Sequence, residues 1–303
     1  MSLKTATAEL AFAQSAKRTL DFLELTKPRI VLMVLITTAV GFYLGSEHGA
    51  NYVLFLKTLA GTALAAGGTL ALNQFFERDI DARMERTRHR PLPDGRIQPL
   101  EASVFGVVTT LAGLAILLWA VNSLSALVAA LIVVSYLCCY TPLKQKSSLC
   151  GPIGALPGAL PPVVGWVAAS GALQVEAWVL FGILFLWQVP HTLAIATLYR
   201  EDFERAGIRF LPVVEPDGAS TGRQSVSHSL ALLAVSLLPT LLGLVGGVYF
   251  FSALLLGSAF VACSVQFARR QSSAAARKLL WASLVYLPVL LVVMALDSHL
   301  GGS

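Results

Sequence analysis

Nine apolar segments constrain this 303-residue chain more than any other feature of its sequence. Each has a length of about 17–25 residues, which a helix needs to cross the hydrocarbon core of a bilayer. Only 13% of the residues are charged and 56% are hydrophobic, unlike a typical soluble domain. We therefore predict one all-α integral membrane domain over residues 1–303, with residues 1–26 as an N-terminal arm. The segments cover residues 30–46, 53–76, 103–121, 124–141, 149–169, 177–198, 226–248, 250–268 and 279–298.

The positive charges predict how the segments are oriented. All but one of the 22 Lys and Arg residues lie in the arm or in every second connection; the exception is Lys57. Such residues collect on the cytoplasmic side of membrane proteins, so we place the N-terminus in the cytoplasm and the C-terminus outside. The net charge of +5 then reflects topology and not nucleic-acid binding. The arm carries Glu9, Asp21 and Glu24, which is atypical of a mitochondrial transit peptide. A bacterial inner membrane is favoured, with the mitochondrial inner membrane as the alternative.

The cysteines predict no metal site. None shows the spacing of metal ligands, and burial as small apolar side chains is expected for Cys138, Cys139, Cys150 and Cys263. Two histidines, His48 and His299, are expected to be exposed on the outer side.

The densest polar sequence, NQFFERDIDARMERTRHRPLP, begins at Asn73 at the end of the second apolar segment. Asn73, Glu77 and Asp81 recur every four residues, a spacing that stacks them on one face of a helix. Oxygen-bearing side chains at a membrane helix end suit a hard cation such as Mg²⁺, and the adjacent arginines suit an anion. The alternatives are a solvated helix end and arginines that only anchor the topology.

Four further segments carry polar groups near apolar ones. Pro142 is expected to break the fourth segment, and Pro190 interrupts the sixth just before His191. His191 is compatible with a core residue, a proton relay or a metal or haem-iron ligand. Four prolines make the fifth segment irregular, which membranes tolerate when the backbone is buried or lines a cavity. The four segments are Lys27-Pro28-Arg29, Tyr140–Lys144, Pro152–Pro162 and Trp187–Gly218.

A cation face, a basic cluster and a membrane cavity together suit the ionisation of an allylic isoprenoid diphosphate. Mg²⁺ and basic side chains stabilise the charge that gathers on the leaving diphosphate. The remaining carbocation needs an apolar cavity with aromatic faces. Ordinary packing is the alternative role for the aromatic candidates, Phe75, Phe76, Trp166, Trp187, Tyr199 and Phe203.

The polar stretch that begins at Asn73 resembles the NxxxDxxxD motif of the UbiA-type intramembrane prenyltransferases. Four later motifs, YTPLK, IGALPGALPPVVGW, WQVPH and YREDFERAGIRFLPVV, resemble the haem O synthase branch, the protoheme IX farnesyltransferases. The resemblance runs from about Leu25 to Arg223 and rests on five motifs in order. It implies nine helices around a central cavity open toward the cytoplasm. It also implies transfer of farnesyl from farnesyl diphosphate to a vinyl group of haem b, giving haem O, with a haem A synthase as a candidate partner.

The resemblance also assigns roles to individual residues. The implied catalytic and Mg²⁺-binding residues are Asn73, Glu77, Asp81 and Asp202, with Tyr199 beside Asp202. The implied diphosphate ligands are Arg29, Arg90 and Lys144, and His191 is implied to contact haem. Glu77 replaces the usual Asp, and Leu198 stands four residues before Asp202, where a second carboxylate is common. Three alternatives remain: transfer to an aromatic acid or chlorophyllide, a transporter, and a non-catalytic haem-handling protein.

Overall fold

The structure, a computed structural model, describes residues 17–46 and 51–298, and within them the chain is helical with no strand. Within these residues, eight helices are long and apolar enough to cross a membrane. A ninth span exists if α1 and α2, which meet at a bend of 52°, count as one. The predicted all-α membrane fold is confirmed. The helices are α1 (Lys17–Leu25), α2 (Pro28–Leu44), α3 (Tyr52–Asp81), α4 (Pro99–Ala120), α5 (Ser123–Leu143), α6 (Cys150–Ala159), α7 (Pro161–Ser170), α8 (Val175–Leu198), α9 (Arg200–Arg205), α10 (Leu211–Val214), α11 (Ala219–Leu241), α12 (Gly247–Arg270) and α13 (Ser273–Asp297).

Several of the described helices extend farther than the predicted apolar segments. Helix α3 continues to Asp81, so the whole NxxxDxxxD stretch is helical, and α11 begins at Ala219, seven residues before the predicted start. Of the cysteines, Cys150 is buried and Cys263 half-buried, but Cys138 and Cys139 are exposed on α5, so the expectation of burial is wrong for that pair. The predictions for His48 and His299 fall outside the described residues.

Close helix pairs depend on glycine. A Cβ at Gly165 of α7 would lie 1.9 Å from the carbonyl oxygen of Thr38 in α2, and one at Gly68 of α3 would lie 2.4 Å from Thr110 Oγ1 in α4. Lipid tails are as apolar as the helices, so association in a membrane relies on such close packing of small residues. These contacts hold α2 and α4 against the helices that carry the polar motifs.

The proline-rich fifth segment divides at Leu160 into α6 and α7, as its irregularity predicted. It is the most buried of the candidate spans among the described residues. Its prolines and glycines face a cavity, described below. This matches the physical rule that irregular backbone survives at membrane depth only inside the protein.

Pro142 does not break α5, contrary to the prediction. The helix widens into a π-helical turn over Ser135–Tyr140, where the amide of Thr141 bonds to the carbonyl of Tyr136, and then continues to Leu143. A π turn re-pairs the backbone around a residue that has no N–H to donate. The consequence is that Thr141 and Lys144 face α3.

The second polar loop folds back onto this end of α5. Helix α9 ends at Arg205, and Gly207, two residues beyond it, has a left-handed φ of 72° that favours glycine. Two residues later the amide of Arg209 donates a 2.7 Å hydrogen bond to the carbonyl of Lys144. The end of the bundle that carries Asp81, Lys144 and Tyr199 is called the motif end below.

Candidate active site

The structure buries the four-residue repeat of α3 on one face. Asn73, Glu77 and Asp81 have exposed fractions of 0%, 5% and 1%. Phe76, on another face of the same helix, is 57% exposed. Burial of two carboxylates is costly unless each is paired, so their partners define the site.

Each side chain of this face meets a basic side chain from a different part of the chain. Lys27 Nζ donates a 2.9 Å hydrogen bond to Asn73 Oδ1. Lys144 Nζ lies 2.6 Å from Glu77 Oε1, and Arg90 Nη1 lies 2.6 Å from Asp81 Oδ2. We call these three pairs the charge ladder. It brings together Arg90 and Lys144, both predicted from the sequence, with Lys27, which was not.

Lys27 reaches Asn73 because the chain turns sharply between α1 and α2. Its backbone is left-handed, with φ 50° and ψ 67°, immediately before Pro28. Gln74 holds the preceding turn by donating to the carbonyl of Leu25 at 2.8 Å. Such a backbone is unfavourable for a side chain that has a Cβ, and it persists only where the surroundings fix it.

A second clamp fixes α1 from the other side. Arg96 bonds to the carboxylates of Asp21, Glu24 and Asp94 and donates to the carbonyl of His89 at 2.8 Å. Arg96 therefore ties α1 to the loop over residues 82–98. The same loop carries Arg90, and α1 leads directly to Lys27. The contacts of Arg96 therefore help to position both Arg90 and Lys27.

The π turn supplies the third wall of the site. Asn73 Nδ2 donates to Thr141 Oγ1 at 3.1 Å, and Lys144 Nζ lies 4.5 Å from the centre of the Tyr140 ring. Burial by itself lowers the pKa of the Lys144 ammonium, but the charge of Glu77 and its hydrogen bond outweigh burial and raise that pKa above its ordinary value. Lys144 is therefore a cation at neutral pH.

Arg86 links the two polar loops. Its guanidinium lies 5.7 Å from the centre of the Tyr199 ring, while Thr87, next to it, bonds to the backbone of Asp81 at 2.8 Å. Sequence reasoning did not single out Arg86, because nothing in an arginine-rich loop distinguishes a site residue from a topology anchor. Asp202 is paired with Arg205 on α9.

Two other predicted site residues lie apart from the ladder. Arg29 is exposed in the first turn of α2 and has no ion pair within the described part of the chain. His191 faces α13, where its Nδ1 lies 2.7 Å from Ser283 Oγ, and its ring stacks on Trp187 at 4.7 Å between centroids.

The ladder fits a divalent cation in part. Asp81 Oδ1 is buried and has no hydrogen-bond partner, so it is an oxygen free to bind a metal. Over residues 17–46 and 51–298, no three His, Cys, Asp or Glu side chains are close enough to hold a metal by themselves. The donors are therefore an amide oxygen and two carboxylates, a set that suits Mg²⁺ when phosphate oxygens and water complete its shell.

An apolar cavity of about 260 Å³ opens beside the ladder. The rings of Tyr136 and Tyr140, 5.3 Å apart, lie at its wall near the motif end. Gln188 of α8 is a polar side chain of the same wall. The site thus joins a polar, cationic mouth to an apolar interior. The lining comprises Ile30, Val34, Thr62, Ala65, Ala66, Thr69, Leu70, Ala129, Ile132, Val133, Tyr136, Tyr140, Gly154, Pro157, Gly158, Pro161, Val164 and Gln188.

Known proteins resemble this chain both in sequence and in fold. Protoheme IX farnesyltransferase of Solibacter usitatus is 47% identical over 286 residues, which are 91% of this chain and 98% of that protein. A digeranylgeranylglyceryl phosphate synthase structure aligns with a TM-score of 0.80 at 17% identity, over 93% of this chain and 99% of that one. A UbiA homologue from Archaeoglobus fulgidus, bound to dimethylallyl diphosphate and Mg²⁺, aligns with a TM-score of 0.64 at 16% identity, over 91% and 99%.

The family assignment rests on sequence, because structures at this low identity establish the fold alone. Residues 34–287 match the UbiA prenyltransferase family, and this range contains α3, the π turn and both polar loops. The charge ladder and the cavity lie in or beside that range, with Lys27 just before it. The chain therefore belongs to the UbiA prenyltransferase family and is an intramembrane prenyltransferase.

Proposed function

We propose that this enzyme transfers the farnesyl group of farnesyl diphosphate to a vinyl group of haem b, giving haem O. Diphosphate leaves, and water adds the hydroxyl group to the remaining vinyl carbon with release of a proton. The observation that carries the proposal is the 47% identity to a protoheme IX farnesyltransferase over 98% of that protein's length. The charge ladder and the cavity supply the physical means, since a diphosphate needs cations and a prenyl chain needs an apolar space.

Asn73, Glu77 and Asp81 hold Mg²⁺ in this proposal, with Asp202 approaching from the second loop beside Tyr199. The Mg²⁺-bound Archaeoglobus homologue supports the choice of metal. When bound, Mg²⁺ neutralises charge on the diphosphate oxygens as a Lewis acid.

Lys27, Arg90 and Lys144 bind the diphosphate, together with Arg29. In the structure Lys27, Arg90 and Lys144 contact the α3 face at 2.6–2.9 Å. With Mg²⁺ bound, Asn73, Glu77 and Asp81 would hold the metal, and the three basic side chains would be free to donate hydrogen bonds to phosphate oxygens. The bond between C1 and oxygen then breaks, its electron pair stays on the diphosphate, and these cations stabilise the charge that develops.

The cavity takes the prenyl chain and excludes water from the allylic cation. Tyr136 and Tyr140 place aromatic faces near its entrance, where they stabilise positive charge. Its volume is below the roughly 300–1,000 Å³ of pockets that enclose drug-sized ligands. Haem therefore binds outside it, and we propose that His191 contacts the haem.

The cellular setting that we propose is a bacterial inner membrane. We place the single domain in the bacterial inner membrane with its N-terminus in the cytoplasm, as the charge distribution predicts. A haem A synthase, which consumes haem O, is the proposed partner.

Haem analysis of membranes tests the function directly. A bacterial host that lacks haem O is expected to accumulate it when this gene is expressed, and to contain only haem b when it is not. Prenylated hydroxybenzoate in place of haem O would instead assign an aromatic acceptor. Retention of function by variants of the α3 face would indicate a non-catalytic haem-handling protein.

A further inference from the structure

The cavity is elongated along helices α3 and α5. On α3 its lining runs from Leu70 near the motif end through Ala66 to Thr62, one helical turn at each step. On α5 it runs from Tyr140 to Ala129. Asn73 of α3 bonds to Thr141 of α5, and Thr62 and Ala129 lie eleven and twelve residues before them, so the two walls have similar lengths.

Three walls of the cavity end in buried residues. Thr62 of α3, Ala129 of α5 and Val164 of α7 are the deepest lining residues of their helices, and their exposed fractions are 4%, 4% and 0%. We call these three residues the cavity floor. On these three helices the described cavity lining therefore ends in the protein interior.

The residues one helical turn beyond the cavity floor are also buried. One turn farther along each helix lie Thr58, Ser125 and Ala168, with exposed fractions of 0%, 0% and 2%. None of the three lines the cavity. A longer occupant would have to displace packed helices, which is costly in a close-packed interior.

The depth matches a particular chain length. Thr62 lies eleven residues before Asn73, which corresponds to about 16 Å at the helical rise of about 1.5 Å per residue. An isoprene unit contributes four carbon–carbon bonds of about 1.5 Å, or roughly 5 Å along an extended zigzag chain. Three units span roughly 15 Å and four span roughly 20 Å.

We propose that Thr62, Ala129 and Val164 set the prenyl chain length by admitting fifteen carbons and stopping a twenty-carbon chain. The inference deepens the proposed function, because it assumes that the diphosphate binds at the charge ladder. Ala129 is the critical position, since its small side chain leaves the space that the last isoprene unit occupies. A larger side chain there shortens the cavity by about one unit.

Binding measurements test the floor without depending on the acceptor. The purified full-length protein with Mg²⁺ is titrated with geranyl, farnesyl and geranylgeranyl diphosphates, and the three Kd values are compared. One methylene in an apolar pocket changes discrimination by about 10–200-fold. We therefore expect Ala129→Leu to shift the farnesyl-to-geranyl preference at least tenfold toward geranyl, and Val164→Ala to tighten geranylgeranyl binding.

Ala130→Leu is the matched control, because Ala130 adjoins Ala129 but is half-buried and does not line the cavity. If Ala129→Leu and Ala130→Leu show the same chain-length preference, the proposed role of the cavity floor is refuted. If Ala129→Leu does not fold, Val164→Ala decides alone, and unchanged geranylgeranyl binding refutes the floor. Product analysis with haem b separates this proposal from the proposed function. If the variants shift the Kd values but the unaltered enzyme forms no prenylated haem, chain-length selection by the floor is supported and haem b as the acceptor is overturned.

Discussion

Lys27 Nζ donates a 2.9 Å hydrogen bond to Asn73 Oδ1, across 46 residues of sequence. The contact depends on the left-handed backbone of Lys27 at the bend between α1 and α2. Strained backbone that the surroundings enforce is often found at functional sites. Lys27 thereby adds a cation that the family motifs in the sequence did not assign.

Lys27→Met is expected to weaken binding of the prenyl diphosphate. The substitution removes a half-buried amino group, and a hydrogen bond from such a group to a charged phosphate contributes about 1.5–3 kcal/mol, or roughly 10–100-fold in affinity. Titration with farnesyl diphosphate in Mg²⁺ measures the loss, and Lys17→Met is the control because Lys17 is exposed on α1. Arg29→Met tests the role in diphosphate binding that the sequence assigned to Arg29. A larger loss of farnesyl diphosphate affinity in Arg29→Met than in Lys27→Met would show that Arg29 is the more important ligand.

The sequence predicted the α3 face because helical periodicity is a local property. Asn73, Glu77 and Asp81 needed only their spacing to be placed together. The pairing of each with its own basic side chain could not be predicted, because Lys27 and Lys144 reach the face through a bend and a π turn that depend on tertiary packing. Arg86 was missed for the same reason, since only the fold brings its loop to Tyr199.

Lys144→Met is expected to destabilise the protein more than the double variant Glu77→Gln/Lys144→Met. Both side chains are largely buried, and removal of one partner leaves an unpaired charge, at a cost of about 3–5 kcal/mol. Replacement of both removes that cost. Thermal unfolding in detergent should show the single variant below the double variant, and the reverse order would mean that Glu77 is solvated. Because the pKa of Lys144 is raised, the pair contributes fully at neutral pH and is lost only in strong alkali.

Asp81→Asn is expected to abolish haem O formation while the protein still folds. Asp81 Oδ1 is the buried, unpartnered oxygen of the ladder, so its charge is the one best placed for Mg²⁺. Loss of one preorganised electrostatic group lowers turnover by roughly 100–1,000-fold. Glu85→Gln is the control, because Glu85 is exposed and pairs only with the exposed Arg88 in the described chain. Near-normal turnover by Asp81→Asn would refute the Mg²⁺ role.

Arg96→Gln is expected to loosen α1 and, through it, Lys27. Arg96 joins Asp21 and Glu24 of α1 to the loop that carries Arg90. Loss of this network should cost about 1–2 kcal/mol locally, which raises hydrogen exchange of the α1 amides roughly 5–30-fold. Arg223→Gln should leave that exchange unchanged, since Arg223 bonds to Ser220 of its own helix. Unaltered exchange of α1 in Arg96→Gln would show that other contacts of α1, such as Arg18 with Glu101 and Phe22 with Phe105, hold it in place without Arg96.

His191→Phe is expected to weaken haem b binding without changing the Kd for farnesyl diphosphate. The Nδ1 atom of His191 bonds to Ser283 and the ring stacks on Trp187, which orients the imidazole while Nε2 has no partner in the described part of the chain. An imidazole held in this way is suited to meet a ligand with its free nitrogen. Absorbance titration with haem b should show a loss of roughly tenfold or more, equivalent to about 1.4 kcal/mol. His228→Phe is the control, because His228 bonds within α11 to the carbonyl of Gln224. Unchanged haem affinity and spectrum in His191→Phe, with a lowered unfolding temperature, would assign His191 to the packing between α8 and α13 instead.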